Sequence, residues 1–189
     1  MDILTAFGLS ASAGLNAYIP LLTVALVARF TDLIKLGEPW NALESWWTIG
    51  ILVVLAAVEF FADKVPAVNH INDIIQTFIR PTAGAILFAA STSVVSEMQP
   101  VVAVILGLLV AGSVHAVKSV AVRPAVTATT GGAGNVPVSI AEDVVSTILA
   151  ILAAVMPVII SVILVLLTAL IVWWTWRRIN ASRARKTSS

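Results

Sequence analysis

The run EFFADKVPAVNHINDIIQTFIRP at residues 59–81 places Glu59, Asp63, Lys64, His70, Asp73 and Arg80 between long hydrophobic segments. Glu59 and Asp63 are four residues apart, so a continuous helix presents both carboxylates on one face. Acids held inside a membrane segment are costly unless paired or hydrated, and they serve as cation- or proton-coupling groups. Asp73 and Arg80, seven apart, share a face of the next helical pattern. A second set follows residue 110: His115, Lys118, Arg123, Glu142 and Asp143. His115 and Lys118 stand three apart on one face, and histidine is the side chain that changes charge near neutral pH. Together the two sets hold five carboxylates (Glu59, Asp63, Asp73, Glu142, Asp143) against four bases (Lys64, Arg80, Lys118, Arg123). This near-balance predicts mutual pairing around a hydrated cavity suited to a small charged or zwitterionic solute. Arg80, Lys118 and Arg123 would attract an anionic group, His115 and His70 would relay protons, and Asn16 would add neutral hydrogen bonds.

Each of these groups also has a plainer reading. Lys64 at the end of a span snorkels cheaply to the water boundary. Ser139-x-x-Glu142 fits a capping box, and first-turn acids such as Asp143 suit a helix dipole. A lone histidine in a span can be a hydrogen-bonded packing residue.

Enzyme signatures are scarce. HExxH, GxSxG and Walker patterns do not occur, and GGAGN at 131–135 lacks the Lys-Ser/Thr of a phosphate loop. The chain has no cysteine, which excludes disulfides and thiolate metal sites. The two histidines have no metal-ligand spacing. No enzyme, metal or cofactor is therefore expected.

The elements that must position these groups are apolar. The chain of 189 residues is 59% hydrophobic and 11% charged, with a mean hydropathy of +1.02, where soluble domains carry about a quarter charged residues. This composition predicts an all-α integral membrane protein. The net charge of +1 argues against nucleic acid as a partner. The N-terminus lacks a basic n-region and a convincing cleavage site, so no removable signal peptide is expected.

Spans are read at about 3–28, 46–61, 82–95 and 101–122, followed by a loop RPAVTATTGGAGNVPVS and an apolar run over 144–176 with Pro157 near its middle. At about 1.5 Å per residue that run exceeds the ~30 Å hydrocarbon core, so it is one kinked helix or a half-length piece joined to a full span. The count is five to six transmembrane helices, with proline-broken or re-entrant amphipathic segments. In the first span, GLSASAG sets small residues at the spacing that lets helices approach closely, and Pro20 interrupts the ladder. Pro66 stops or kinks the helix that carries Glu59. From 67 to 79, Val68, Ile71, Ile75, Phe78 and Ile79 form a stripe opposite Asn69, Asp73, Gln76 and Arg80, an amphipathic helix at the interface or re-entering the membrane. Trp40, Trp46 and Trp47 mark an aromatic belt.

ASAGLNAYIP at 11–20 echoes LLVAGSVHAV at 108–117, and Arg80-Pro81 recurs as Arg123-Pro124, a weak internal repeat that would invert the two halves. Residues 1–176 then form a single membrane domain. Residues 177–189 form a basic tail (Arg177, Arg178, Arg183, Arg185, Lys186) that the positive-inside rule places in the cytoplasm.

The segments SASAGLNAYIPLL, VEFFADKVPAVNHINDIIQTFIRPTAGA, AGSVHAVKSVAVRP and SIAEDV resemble the bacterial membrane proteins grouped as domain of unknown function 4126, over roughly residues 5–160. The resemblance implies a bacterial inner-membrane protein and no particular activity. The function expected from the residues is a small multi-span transporter or channel-like protein, a homodimer because so few spans rarely enclose a pathway alone. The rivals are a membrane assembly or lipid-organising protein, in which the charges fix helix register, and an intramembrane enzyme on a lipid-linked substrate.

Overall fold

A computed structural model describes residues 3–64, 66–92 and 98–156 and scattered positions after them; the side chains of residues 66–71 and 92 lie outside the described set. His70's side chain, most of the 157–176 run and the tail beyond Arg177 therefore fall outside it. Among the described residues the chain is all-helical.

Seven α-helices follow in order: α1 (Ile3–Leu15), α2 (Tyr18–Phe30), α3 (Trp46–Ala62), α4 (Pro66–Thr92), α5 (Pro100–Val117), α6 (Arg123–Thr130) and α7 (Asn135–Val155). A 3-10 turn at Trp40–Glu44 precedes α3, and a π-helical turn at Lys118–Val122 joins α5 to α6. Among the described residues three segments are long and apolar enough to cross a membrane: Asn72–Ser91, Pro100–Thr130 and Asn135–Val155. Three shorter apolar helices, α1, α2 and α3, accompany them.

The first expected span is not one helix. It breaks at Asn16, four residues before the proline expected to interrupt it. Asn16 closes α1 by donating its backbone N–H to the Ser12 carbonyl, while its Oδ1 accepts from the N–H groups of Tyr18 (3.1 Å) and Ile19 (3.0 Å). The side chain thus caps α2, and Pro20 occupies the first turn of α2, where a missing N–H costs little. With 13 residues each, α1 and α2 reach about 20 Å apiece, short of the hydrocarbon thickness. They meet at Asn16.

Pro81 does not end a helix: α4 runs unbroken through it, merging the amphipathic stretch and the expected third span. Membrane helices tolerate proline because neighbours re-satisfy the freed carbonyl, and the Pro81 ring lies against Gly112 of α5. The expected loop after residue 122 is also mostly helical. The true connection is the Gly131–Gly134 turn, where Gly131 (φ 62°) and Gly132 (φ 92°) adopt a left-handed backbone that favours glycine. Consequently α7 begins at Asn135, nine residues before the expected apolar run.

Small residues set the helix spacing as expected. A Cβ on Gly14 would sit 2.6 Å from the Ala111 carbonyl and from Val114 Cβ. On the same helix Ser10 Oγ donates to the Gly84 carbonyl of α4 (2.8 Å), and Ser12 and Ser146 of α7 exchange hydroxyl hydrogen bonds (2.9 Å). The main core joins Leu9, Ala13, Leu21 and Val24 with Leu87, Ala111, Ala150 and Ala153. Trp46 and Trp47 are exposed, as an aromatic belt requires.

α1 runs parallel to α5, since Gly14 meets Ala111 and the Leu15 carbonyl meets Lys118, while Ala6 shares a cluster with Ala103. Arg80-Pro81 and Arg123-Pro124, by contrast, lie on oppositely directed helices, because Pro81 faces Gly112 while Arg80 faces His115. One two-fold operation does not relate both echoes, so the inverted repeat finds no support in these helix directions.

Candidate functional site

The ends of α1 and α3, the start of α2, the middle of α4, the π-turn and the first third of α7 converge on one polar centre. Eight charged side chains meet there in equal numbers of each sign. Arg80 Nη2 binds Glu59 Oε1 at 2.9 Å and lies 3.8 Å from Asp63 Oδ2. Arg123 Nη2 bridges Asp63 (3.3 Å) and Glu142 (3.0 Å), and Lys118 Nζ closes on the same Glu142 Oε2 at 2.8 Å. The result is a ladder, Glu59–Arg80–Asp63–Arg123–Glu142–Lys118. Beside it Lys64 binds Asp143 at 3.2 Å, and Asn16 Nδ2 donates to Asp143 at 3.0 Å.

Asp63 is the hub. Besides the two arginines it accepts from Asn72 Nδ2 (2.6 Å) and Ser139 Oγ (3.2 Å). Asp63 follows the last residue of α3, ahead of the helix that Pro66 starts, so it can reach α4, α6 and α7 at once. Arg80 and Glu59 are almost fully enclosed (0% and 1% exposed). Charges in such surroundings persist only when paired and hydrogen-bonded, and the ladder supplies that pairing.

The π-turn explains why Lys118 and Arg123 act on one acid. Five residues apart on an ordinary helix, they would point roughly 140° away from each other at 100° per residue. Here the Arg123 N–H bonds the Lys118 carbonyl, five residues back. That wider turn stacks the two side chains toward Glu142. Pro124 is the cause, because its ring clashes with the carbonyl four residues earlier and it has no N–H to donate there. π-turns inside α-helices occur frequently at functional sites.

The break in the first helix also feeds the centre. Lys118 Nζ donates to the carbonyl of Leu15 (3.0 Å), the last residue of α1. A cation at the negative end of a helix dipole is favourably placed. His115 sits between Arg80 Nη1 (3.2 Å from Nδ1) and the Thr77 hydroxyl (3.2 Å from Nε2). Three atoms on the Glu59–Arg80 side, Glu59 Oε2, Arg80 Nε and Gln76 Oε1, are buried without a hydrogen-bond partner among the described residues. Such groups invite water or a ligand.

Of the expected site residues, the structure gathers Asn16, Glu59, Asp63, Arg80, His115, Lys118, Arg123 and Asp143. Asp73 lies at the margin: it is half-buried and close enough to favour the charge on Arg123, but it makes no ion pair among the described residues and so does not partner Arg80 across the seven-residue spacing. Its backbone carbonyl instead accepts from Thr77. Glu142 is no capping residue, and Ser139 caps nothing; both lie inside α7 and face the ladder. Lys64 is not simply snorkelling, for it crosses to Asp143 while its ammonium lies over the Phe60 ring. Asn72 was not anticipated. The signal for it was a second stripe on α4, Asn72, Gln76 and Arg80 at successive four-residue steps, each of them buried. A matching stripe on α7, Ser139, Glu142, Asp143 and Ser146, is also buried.

Among the described residues no group of histidines and carboxylates could hold a metal ion. A family model described as Domain of unknown function (DUF4126) matches residues 3–177. No curated protein and no solved structure matches the chain.

Proposed function

The chain belongs to this family, whose description names no activity, and we propose from the geometry that it is a small membrane transporter or channel-like protein for a charged solute. One observation carries the reading. A broken helix pair, α1 and α2, presents its break to an enclosed ion ladder of zero net charge. Transporters build central sites in this way, from interrupted helices whose free ends face ions and charged groups. Glu59 and Asp63 are the coupling carboxylates. Arg80, Lys118 and Arg123 receive an anionic group by exchanging partners along the ladder, and His115 passes protons between the Arg80 and Thr77 sides. The protein works without catalysing a reaction, as a homodimer in the bacterial inner membrane with its basic C-terminal end in the cytoplasm.

The decisive experiment is solute flux into proteoliposomes holding the full chain, screened over inorganic ions, phosphorylated metabolites and amino acids with and without a pH gradient. We expect saturable flux of one solute class, reduced about tenfold or more in Asp63→Asn. The same solute should raise the thermal midpoint of the wild type in detergent, by mass action on the folded state. A second reading draws on a different fact: every charge in the ladder already has an opposite partner. An assembly protein needs nothing more. Absent flux, absent solute stabilisation, and full rescue of stability by the swap Glu59→Arg with Arg80→Glu would establish that reading instead.

A further inference from the structure

The ladder ends at Lys118, and this end opens sideways. Between α5 with its π-turn and α7 runs a groove of about 440 Å³ walled by Leu15, Val114, Val117, Val138 and Val145, with Lys118 and Glu142 as the charged groups on its lining. Its size falls in the ~300–1,000 Å³ range of small-molecule sites. Val117 and Val145 at its edge are exposed (61% and 46%) on helices long and apolar enough to cross a membrane. The mouth therefore faces hydrocarbon, and a ligand reaches it from within the bilayer.

Lys118 can be lent to such a ligand without stranding an acid. Glu142 Oε2, its partner, is held as well by Arg123 at 3.0 Å. Lys64 and Arg80 have no such freedom, since among the described residues each is the only cation within 4.0 Å of Asp143 and Glu59, respectively. Lys118 also keeps the Leu15 carbonyl as a fixed anchor beside the groove. Lys118 is 3% exposed and reaches the groove by turning from Glu142, and an aliphatic wall ending at one such ammonium matches a single acyl chain ending in one anionic oxygen pair.

We propose that this groove binds a long-chain carboxylate drawn laterally from the bilayer, its chain along the valine wall and its carboxylate on Lys118 Nζ. The site shares Lys118 with the proposed solute path, but it neither needs a solute to cross nor uses the Glu59–Arg80 end of the ladder. The test uses the full chain in phosphatidylcholine nanodiscs and a palmitic acid carrying a mid-chain diazirine, with photolabelled residues mapped by mass spectrometry. Saturable labelling is expected on 114–117 and 138–145, displaced by unlabelled palmitate but not by hexadecanol. Lys118→Gln should lower labelling about tenfold, equivalent to ~1.4 kcal/mol. Val145→Trp fills the groove without touching the charges, and it should abolish labelling while leaving the melting temperature unchanged. The proposal is overturned if labelling is absent, fails to saturate, is displaced equally by hexadecanol or survives both variants. Those results would mean bulk lipid resting on an apolar face, or a groove filled by the chain's own later residues.

Discussion

Arg80 is the residue whose loss the ladder tolerates least, and the reason is an asymmetry between its two acids. Asp63 keeps Arg123, Asn72 and Ser139 when Arg80 is removed. Glu59 has no other cation within 4.0 Å among the described residues, and it is 1% exposed. Arg80→Gln therefore strands a buried carboxylate, which costs about 3–5 kcal/mol. Glu59→Gln is milder: Arg80 retains Asp63 at 3.8 Å, and the loss is that of one hydrogen bond to a charged group, roughly 1.5–3 kcal/mol. The double variant removes both charges and leaves two amides that can bond each other. It should be more stable than Arg80→Gln alone by about 2–3 kcal/mol, because no buried carboxylate is then left unpaired. Equilibrium unfolding in mixed micelles, followed by helical circular dichroism, gives all three values. If the double variant proves as unstable as Arg80→Gln, the stranded-acid account fails, and Arg80 must act through packing of its stem instead.

Other outcomes follow from single contacts. Gly14→Val should lower stability by about 1–3 kcal/mol or more through overpacking against Ala111 and Val114. Gly50→Ala, whose new Cβ would meet nothing within 4 Å, should be neutral or stabilising by up to ~1 kcal/mol in the same unfolding assay. Asn16→Ala removes the α2 cap and a bond to Asp143 and should cost about 1–3 kcal/mol in thermal unfolding. Pro124→Ala should destabilise the protein despite alanine's higher helix propensity, because an ordinary helical turn would swing Arg123 off Glu142. A cycle with Glu142→Gln should then show less coupling than in the parent chain; equal coupling would refute the role given to the π-turn.

Most of the polar centre was legible because charge is costly in apolar surroundings, so every ionisable group within a hydrophobic run asked for a partner. Seven of the ten expected site residues meet for that reason, and the neutral Asn16 joins them through Asp143. The errors came from reading elements one at a time. Pro81 looked like a boundary and is not, since tertiary contacts such as that with Gly112 hold α4 together around it. Asn16 looked like one neutral ligand, yet its side chain sets the break that proline was expected to make. Glu142 matched a capping motif only while α7 was taken to begin near residue 144. With the helix starting at Asn135, the same residue lies on an internal face. The π-turn left one trace in sequence, Pro124 five residues after Ser119, and its consequence for Lys118 and Arg123 needs the three-dimensional path of the chain.

The distribution of the eight charges has a consequence for how the chain enters its membrane during synthesis. Glu59, Asp63, Lys64 and Arg80 sum to zero, and so do Lys118, Arg123, Glu142 and Asp143. Within the ladder, neither the early set nor the late set carries net charge while waiting for the other, although α4 also brings Asp73, an acid outside the ladder. The early set can hold itself through Glu59–Arg80 and Arg80–Asp63, and the late set through Glu142 with Lys118 and Arg123. Joining them adds Arg123–Asp63 and Lys64–Asp143, which lock two neutral pieces together after each is already housed. A chain with the same overall charge but unequal halves would have to expose an unmatched ion to lipid at an intermediate stage of its biogenesis.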